Sequence, residues 1–285
     1  MQQQQQQQEE GEVNYKTVVD ADGVQYWYRD GQLHRDHGAA VIEPDGSMVW
    51  YQFGEKHRDD GLPAVVMSCA EGEQQQQLEW FVRGKRHRDD DKPAVVKPYS
   101  QEWWVDGHRH RPSGPAIIIR HTPSGPEETW WYLRGLLHRV LDGGPAVDTA
   151  QKQEWYRLGK LHRGYDLPAR VLASGSQEWY HLGQRHRDND RPAIVWANGH
   201  KEWWHGGKRH REGDLPAVVD CDGVSLQWYQ NGVRHREGGP TVIYADGSVI
   251  WEKQGLRHRD DGLPAVLRAN GGREWYIEGK LIVRT

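Results

Sequence analysis

The residues best suited to chemistry in this sequence are a histidine and the arginine that follows it at the same place in ten repeats. In five of these copies an aspartate follows, so that the tripeptide His-Arg-Asp has the letters of a protein-kinase catalytic loop. A kinase also needs a glycine-rich phosphate loop, a strand lysine paired with a helix glutamate, and an Asp-Phe-Gly motif, and the sequence contains none of these. We therefore interpret the tripeptide as a repeated structural part and predict no enzymatic activity and no catalytic residue.

The same histidines can be considered as metal ligands. If each lies at the same place in a repeat of two sheet strands, consecutive histidines are about 9 to 10 Å apart. Two nitrogens bound to one zinc ion at about 2.1 Å each can be at most roughly 4 Å apart. The ladder of histidines is therefore too widely spaced for chelation, and a metal site would need an additional ligand such as His108 or His205. We predict no metal and no cofactor.

The His-Arg pair belongs to a repeat that fills the chain. A tryptophan stands four residues before a glycine, and the His-Arg pair begins three residues after that glycine, with a period of about 24 residues. Eleven copies keep the tryptophan and the glycine, and ten keep the pair. After nine of the ten pairs comes a link with an acidic residue and then a small apolar segment, as in Asp214 to Val219. Self-similarity at a fixed period indicates a repeat array.

The regular occurrence of glycine and proline along the chain predicts the fold class. Glycine or proline interrupts the sequence every few residues, and the runs between them, such as 176–180 and 192–195, are aromatic or β-branched, which favours short strands. Glycine at all eleven first turns indicates a backbone requirement for positive φ. We therefore predict an all-β fold, an elongated antiparallel meander of about eleven tandem β-hairpin repeats. Residues 13–285 form a single repeat domain, and the Gln-rich residues 1–12 form a disordered tail.

Two hairpin registers fit the turn between the tryptophan and the His-Arg pair. With a two-residue type I′ loop at Asn231-Gly232, which we prefer, Trp228 lies opposite His235. With a three-residue bulged loop, Trp228 faces Arg234 instead. Either register gives a ladder of aromatic, imidazole and guanidinium groups with an interaction or structural role. The candidate ladder residues are Trp155, Trp179, Trp203, Trp228, His162, His186, His210, His235, Arg163, Arg187, Arg211 and Arg236.

These aromatic hairpins of the type Trp-Tyr-x-x-Gly-x-x-His-Arg resemble MORN and MORN-like repeats over about residues 13 to 285. The segment 186–195, preceded by 177–180, is similar to a variant found in proteins of giant viruses of amoebae. The resemblance implies a long twisted antiparallel sheet that acts as a scaffold, often self-associates, and is located in a virion or in the host cytoplasm. The sequence lacks the denser glycine spacing of MORN repeats and adds tryptophan and His-Arg, so a phospholipid-binding role is not carried over.

Composition and charge limit the partners. The 37 basic and 41 acidic side chains give a formal net charge of −4, which offers no overall field to attract nucleic acid or anionic lipid. The sequence has no apolar run near 18 residues and no secretory leader, so we expect no membrane insertion and an intracellular location. Cys69 and Cys221 match neither a disulfide framework nor a C-x-x-C motif.

Two functions remain open. The first is a non-enzymatic scaffold that mediates protein–protein association or self-assembly, with protein, either itself or another chain, as the partner. The alternative is a polymer-binding module that holds a glycan or single-stranded nucleic acid along an exposed stripe of tryptophan, tyrosine and arginine. Exposure of the motif tryptophans distinguishes the two, because only the second function needs the rings to be accessible.

The last repeat departs from the pattern. Leu281, Ile282 and Val283 end the array, with Ile282-Val283 in place of the His-Arg pair, and no Pro-Ala-Val segment follows. A final strand of this kind presents an apolar edge with free backbone donors and acceptors, which natural sheets normally guard. We therefore predict that these three residues form the assembly edge of a homo-oligomer. The alternative is a terminal cap in which Ile282 and Val283 fold back over Trp275.

Overall fold

The structure, a computed structural model, describes residues 13–68, 76–122, 124–140 and 143–285. Within these residues the chain forms strands, turns and bends and no helix. It divides into two compact units, unit 1 (Met1–Leu136) and unit 2 (Leu137–Thr285). The predicted disordered tail, residues 1–12, lies outside the described residues.

All the strands are short, with two to five residues each. The strands of unit 1 are β1 (Tyr15–Val19), β2 (Gln25–Arg29), β3 (Gln32–Leu33), β4 (Val41–Ile42), β5 (Met48–Val49), β6 (Tyr51–Gln52), β7 (Glu55–Lys56), β8 (Val65–Met67), β9 (Gln77–Glu79), β10 (Phe81–Val82), β11 (Lys85–Arg86), β12 (Val95–Lys97), β13 (Ser100–Glu102), β14 (Trp104–Val105), β15 (His108–Arg109), β16 (Ile117–Arg120), β17 (Glu127–Trp130) and β18 (Tyr132–Leu133). Strand β19 (Leu136–Leu137) spans the boundary between the units.

The strands of unit 2 follow the same plan. They are β20 (Val147–Asp148), β21 (Lys152–Glu154), β22 (Tyr156–Arg157), β23 (Lys160–Leu161), β24 (Arg170–Leu172), β25 (Gln177–Glu178), β26 (Tyr180–His181), β27 (Gln184–Arg185), β28 (Ile194–Val195), β29 (Lys201–Glu202), β30 (Trp204–His205), β31 (Lys208–Arg209), β32 (Val218–Val219), β33 (Leu226–Gln227), β34 (Tyr229–Gln230), β35 (Val233–Arg234), β36 (Val242–Ile243), β37 (Val249–Ile250), β38 (Glu252–Lys253), β39 (Leu256–Arg257), β40 (Val266–Leu267), β41 (Arg273–Ile277) and β42 (Lys280–Arg284).

Within each unit the sheet strands pair antiparallel in chain order. In unit 1 the pairing runs through β1, β2, β4, β5, β8, β9, β12, β13, β16 and β17. In unit 2 it runs through β20, β21, β24, β25, β28, β29, β32, β33, β36, β37, β40, β41 and β42. Small two-stranded hairpins such as β26–β27 connect successive pairs of sheet strands. The predicted all-β antiparallel meander of hairpin repeats is confirmed.

The tight turn of each small hairpin is a two-residue loop. Asn231 and Gly232 have φ of 50° and 88°, as a type I′ turn requires. Tyr229 lies opposite Arg234, and the N–H of His235 donates to the carbonyl of Trp228 at 3.3 Å. The register that places the tryptophan opposite the histidine is therefore the one present. The glycine has positive φ in all eleven first turns, which confirms the predicted backbone requirement.

In some repeats the residue just before the glycine of the tight turn is of a type that resists positive φ. Leu158 and Leu182 both have φ of 47° there. The preceding repeat holds these turns in place, because the N–H of Leu182 donates to His162 Nδ1 at 3.4 Å and the N–H of Gly183 donates to the carbonyl of Leu161 at 2.8 Å. Hydrogen bonds from a neighbouring repeat thus stabilise a conformation that leucine alone disfavours.

The acidic link is a second left-handed turn, which was not predicted. Asp60 and Gly61 have φ of 62° and 65°, and the N–H of Leu62 donates to the carbonyl of Asp59 at 3.3 Å. Asn189 in unit 2 has φ of 61° at the position of Asp60. Aspartate, asparagine and glycine enter this region more easily than other residues, which explains the composition of the link.

The core of each repeat is small and is centred on the alanine of the Pro-Ala-Val segment. Ala193 is fully buried, and its carbonyl accepts the N–H of Trp179 at 2.8 Å. In unit 2 the next residues of this segment, Val242 and Val266, form a buried cluster with Ile250 across three neighbouring strands. Because each cluster has only a few apolar side chains, the repeats need further contacts with one another.

The turn geometry predicts a stabilising substitution. Leu182→Asn should raise the free energy of unfolding by about 1 kcal/mol, because asparagine tolerates left-handed φ better than leucine. Urea unfolding followed by tryptophan fluorescence measures this change. Asn231→Leu, the reverse exchange at the same loop position, should destabilise the protein by a similar amount. A loss of stability in Leu182→Asn would contradict the assigned turn type.

Candidate functional site

The arginine of the His-Arg pair lies over the tryptophan ring of its own repeat. Its Cζ atom is 3.6 Å from the ring centroid in Arg163 and Trp155, and 3.8 Å in Arg211 and Trp203. A guanidinium over an indole gains cation–π attraction, which grows when the pair is shielded from water. The arginines that make this contact are Arg35, Arg58, Arg88, Arg111, Arg163, Arg187, Arg211, Arg236 and Arg259.

The edge of the same guanidinium joins two repeats. Arg211 Nη1 donates to the carbonyl of Pro216 in its own repeat at 3.1 Å. Its Nε and Nη2 donate to the carboxylate of Asp190, in the preceding link, at 2.7 and 2.9 Å. These hydrogen bonds lower the pKa of the Asp190 carboxyl below its ordinary value. The same two-point bond joins Arg111 to Asp91, Arg187 to Asp166, and Arg236 to Asp214.

The tryptophan is bound by the same link residue. Trp203 Nε1 donates to the carbonyl of Asp190 at 3.1 Å. Asp190 therefore holds both the indole and the guanidinium of the following repeat, the first through its backbone and the second through its side chain. Trp179 and Trp228 make the equivalent bond to Asp166 and Asp214.

The histidine joins its repeat to the next one. His186 Nδ1 accepts the N–H of Gly206, the first residue of the next tight turn, at 3.2 Å. The proton of the neutral ring is therefore assigned to Nε2, which donates to Asp188 at 3.1 Å. The same acceptor bond is made by His34, His57, His87, His110, His138, His162, His210 and His258. The Nδ1 of His235 is buried without a partner in the described part of the chain.

A row of buried glutamates was missed by the sequence analysis. Glu154 is 2% exposed and accepts Arg170 Nε at 2.7 Å, Lys152 Nζ at 3.0 Å and the Tyr156 hydroxyl at 3.2 Å. Burial alone would raise the pKa of Glu154, but its bonds to Lys152 and Arg170 outweigh burial and lower that pKa below 4.5. The sequence feature that could have predicted these glutamates is a Glu-Trp dipeptide. Because neighbouring residues of a strand point to opposite faces, it places the carboxylate on the sheet face opposite the indole. It occurs at Glu79, Glu102, Glu154, Glu178, Glu202 and Glu274.

The predicted ladder residues are brought together, but their polar atoms and ring faces are used inside the array. Trp155, Trp179, Trp203 and Trp228 are only 5% to 8% exposed. The tryptophans of the remaining copies are half-buried or buried, so the motif presents no open row of indoles among the described residues. A polymer-binding stripe would need the opposite arrangement.

The predicted edge residues lie in the final strand. Leu281, Ile282 and Val283 are each about half exposed within β42. Strand β42 pairs with β41 through a bulge, which places Val283 opposite Trp275. The strand thus closes the last repeat on one side, while its other side has no partner strand among the described residues.

One set of side chains in the described ranges has ligand atoms close enough for a metal ion. It consists of His186, Asp188 and His205, whose ligand atoms all lie within 4.8 Å of one another. The motif histidine His186 supplies one imidazole and His205 supplies the second. The motif histidines alone are too widely spaced to bind one ion, so an additional ligand such as His205 is required.

Comparisons with known proteins give no identity for this chain. No protein-family model and no curated protein matches it. The resemblance to MORN-like repeats therefore stays a prediction, and the β-hairpin repeat architecture is what the structure supports. No helix in the described part of the chain is long and apolar enough to cross a membrane.

The bonds of Arg211 predict a strong preference for arginine. Arg211→Ala should lower the free energy of unfolding by about 2 kcal/mol, because it removes both the stacking and the two-point carboxylate bond. Arg211→Lys should recover less than half of this loss, because lysine lacks the planar fork. Lys201→Ala, at an exposed position of the same repeat, is the control and should change stability by no more than about 0.5 kcal/mol. Wild-type stability of Arg211→Lys in urea unfolding would disprove this role.

His162 predicts a pH dependence. Burial, followed by the positive charges of His181 and Arg157, lowers its pKa below 6.5. Because the unfolded chain then binds the proton more readily, the His162 contribution to stability is present above pH 6.5 and is lost as the pH falls through the lowered pKa. An NMR titration should show this pKa below 6.5, and His181→Gln should move it upward. A pKa that does not respond to His181→Gln would count against the assigned cause.

Proposed function

We propose that this protein is a non-enzymatic repeat scaffold that associates with itself through its final strand. The observation that carries the proposal is β42, whose five residues are all exposed and whose outer side is unpaired among the described residues. The middle of this edge is apolar, because Leu281, Ile282 and Val283 stand there, and Arg284 at its end is 2.9 Å from the carboxylate of Glu274. An added strand from another chain would bind its free backbone groups.

An apolar hollow beside the strand adds side-chain contacts. In other repeats an arginine covers the tryptophan, whereas Val283 stands in that place in the last repeat. A valine can neither stack as a cation nor reach the carboxylate of the preceding link. A hollow of about 470 Å³ lies beside it, with a lining that includes Leu263, Trp275 and Ile282, and it is larger than the hollow of about 320 Å³ at the equivalent place beside Arg88. It could receive one or two apolar side chains of an incoming strand.

The incoming strand that fits best is β1 of a second copy. Among the described residues β1 pairs only with β2, it has the same length as β42, and it exposes Tyr15 and Val19. Pairing of β42 with its own copy around Ile282 would instead place Lys280 opposite Arg284, which is an unfavourable like-charge pair. Head-to-tail pairing of β42 with β1 repeats from molecule to molecule and gives open-ended assemblies.

The covered tryptophans also favour a scaffold over the polymer-binding alternative. Their ring faces and Nε1 atoms are bound within the array, as in Trp203. A scaffold needs them only for stability, whereas stacking on sugars or bases needs free rings. The virion or host-cytoplasm setting is proposed on the MORN-like resemblance alone.

The proposal predicts an oligomer that two substitutions dissociate. Replacing Ile282 and Val283 with lysine should convert the oligomer to monomer, because two charges would enter the paired edge. Light scattering across micromolar concentrations measures the mass. The control replaces Val224 and Val233, which are exposed to a similar degree, with lysine and should leave the oligomer intact. A wild-type chain that stays monomeric at high micromolar concentration would refute the proposal.

Cysteine cross-linking identifies the partner strand. In a background with Cys69→Ser and Cys221→Ser, molecules with Thr17→Cys and molecules with Ile282→Cys should form a disulfide mainly when they are mixed. Cross-links between two Ile282→Cys molecules in preference to the mixed pair would show a symmetric dimer and contradict the head-to-tail arrangement.

A further inference from the structure

Unit 2 contains a continuous row of five imidazole rings. The rings are those of His162, His181, His186, His205 and His210, and consecutive centroids are 5.1, 6.0, 4.7 and 6.2 Å apart. The row exists because His181 and His205 end the first strand of two successive small hairpins, each between two motif histidines. The wide spacing of the motif histidines is therefore halved in this part of the chain.

We propose that His186, Asp188 and His205 bind a divalent transition-metal ion of the zinc class. Their ligand atoms lie within 4.8 Å of one another, and the two imidazole rings are 4.7 Å apart at 51°. Two imidazoles and one carboxylate, with water in the remaining position, form a common ligand set of open zinc sites. Bound ligand atoms would be roughly 3.5 Å apart, so the side chains must close by about 1 Å. Asp188 and His205 are exposed and have room to do so.

Metal binding changes the hydrogen bonds of His186. In the free protein its Nε2–H donates to Asp188 and its Nδ1 accepts the N–H of Gly206. A metal ion on Nε2 takes the lone pair of that nitrogen, so the proton of the neutral ring moves to Nδ1 through solvent. No net proton leaves the ring, and no oxidation or reduction takes place. Nδ1–H cannot accept from Gly206, so metal binding frees the amide that joins this repeat to the next tight turn.

The neighbouring residues define how specific the site is. Arg187 is held by Trp179 and Asp166, which leaves the Asp188 carboxylate available to the metal. His210 donates through Nε2 to Glu212 at 2.8 Å and serves its own repeat. His181 lies on the other side of His186, at 6.0 Å between ring centroids, and is outside the group of ligand atoms. It is therefore a matched control, a second imidazole beside the same motif histidine.

Calorimetric titration of the full-length chain with zinc chloride tests the site. The wild-type chain should bind one zinc ion, and His205→Gln and Asp188→Asn should each weaken binding at least about tenfold. His181→Gln should bind zinc within about twofold of wild type, because it removes an imidazole that is not a ligand. Glutamine is suited to both exchanges, since Gln52 and Gln230 stand at the equivalent position in other repeats.

A second readout follows the Gly206 amide. In ¹H–¹⁵N NMR spectra zinc should shift this signal in wild type and in His181→Gln but not in His205→Gln. Thermal midpoints measured without metal establish that the variants are folded, and Asp188→Asn provides an independent test if His205→Gln is destabilised. Failure of the wild-type chain to bind zinc, or equal weakening by His181→Gln and His205→Gln, would overturn the proposed site.

Discussion

A guanidinium held between an indole and a carboxylate is the interaction on which each unit depends. Strands of two to five residues bury too little surface to be stable by themselves, so each repeat must be fastened to its neighbours. Arg211 is 15% exposed and the Asp190 carboxylate 52% exposed, so water screens the bonds of this guanidinium less than it screens those of a fully exposed pair. The histidine of the His-Arg pair adds a hydrogen bond to the following repeat. A polar network thus replaces much of what an aliphatic core does in other folds.

The two sheet faces balance charge in different ways. On the tryptophan face, arginines pair with aspartates that come from the preceding link. On the opposite face, glutamates such as Glu154 and Glu274 are almost fully buried and are paired with arginines and tyrosines. A buried carboxylate without such partners would be strongly destabilising, so the arginines on this face are as necessary as those of the motif.

The features that could be predicted are those that recur at the same position in every repeat. The glycine at a fixed distance from the tryptophan predicted the turn at Asn231-Gly232, and of the two registers that fitted this turn the preferred one is present. The contacts between repeats were not predictable, because spacing does not show which residue of one copy meets which residue of the next. The sequence showed that the link after the His-Arg pair is acidic. It did not show the left-handed turn at Asp60-Gly61, because residue types alone do not fix the backbone conformation of a link. The burial of Glu154 was missed because charged residues are rarely enclosed. The position of His205 beside His186 likewise required the strand pairing.

The arginine of the His-Arg pair clamps each repeat to the preceding one, and a double-mutant cycle tests this role directly. Asp190→Asn, Arg211→Ala and the double variant should give a coupling energy of about 1 to 2 kcal/mol in urea unfolding, because a largely buried guanidinium binds the carboxylate at two points. The cycle of Asp190→Asn with Arg187→Ala should be additive within about 0.5 kcal/mol, since Arg187 binds Asp166 instead. Additivity in the first cycle would contradict the clamp and leave the pair as a recognition motif.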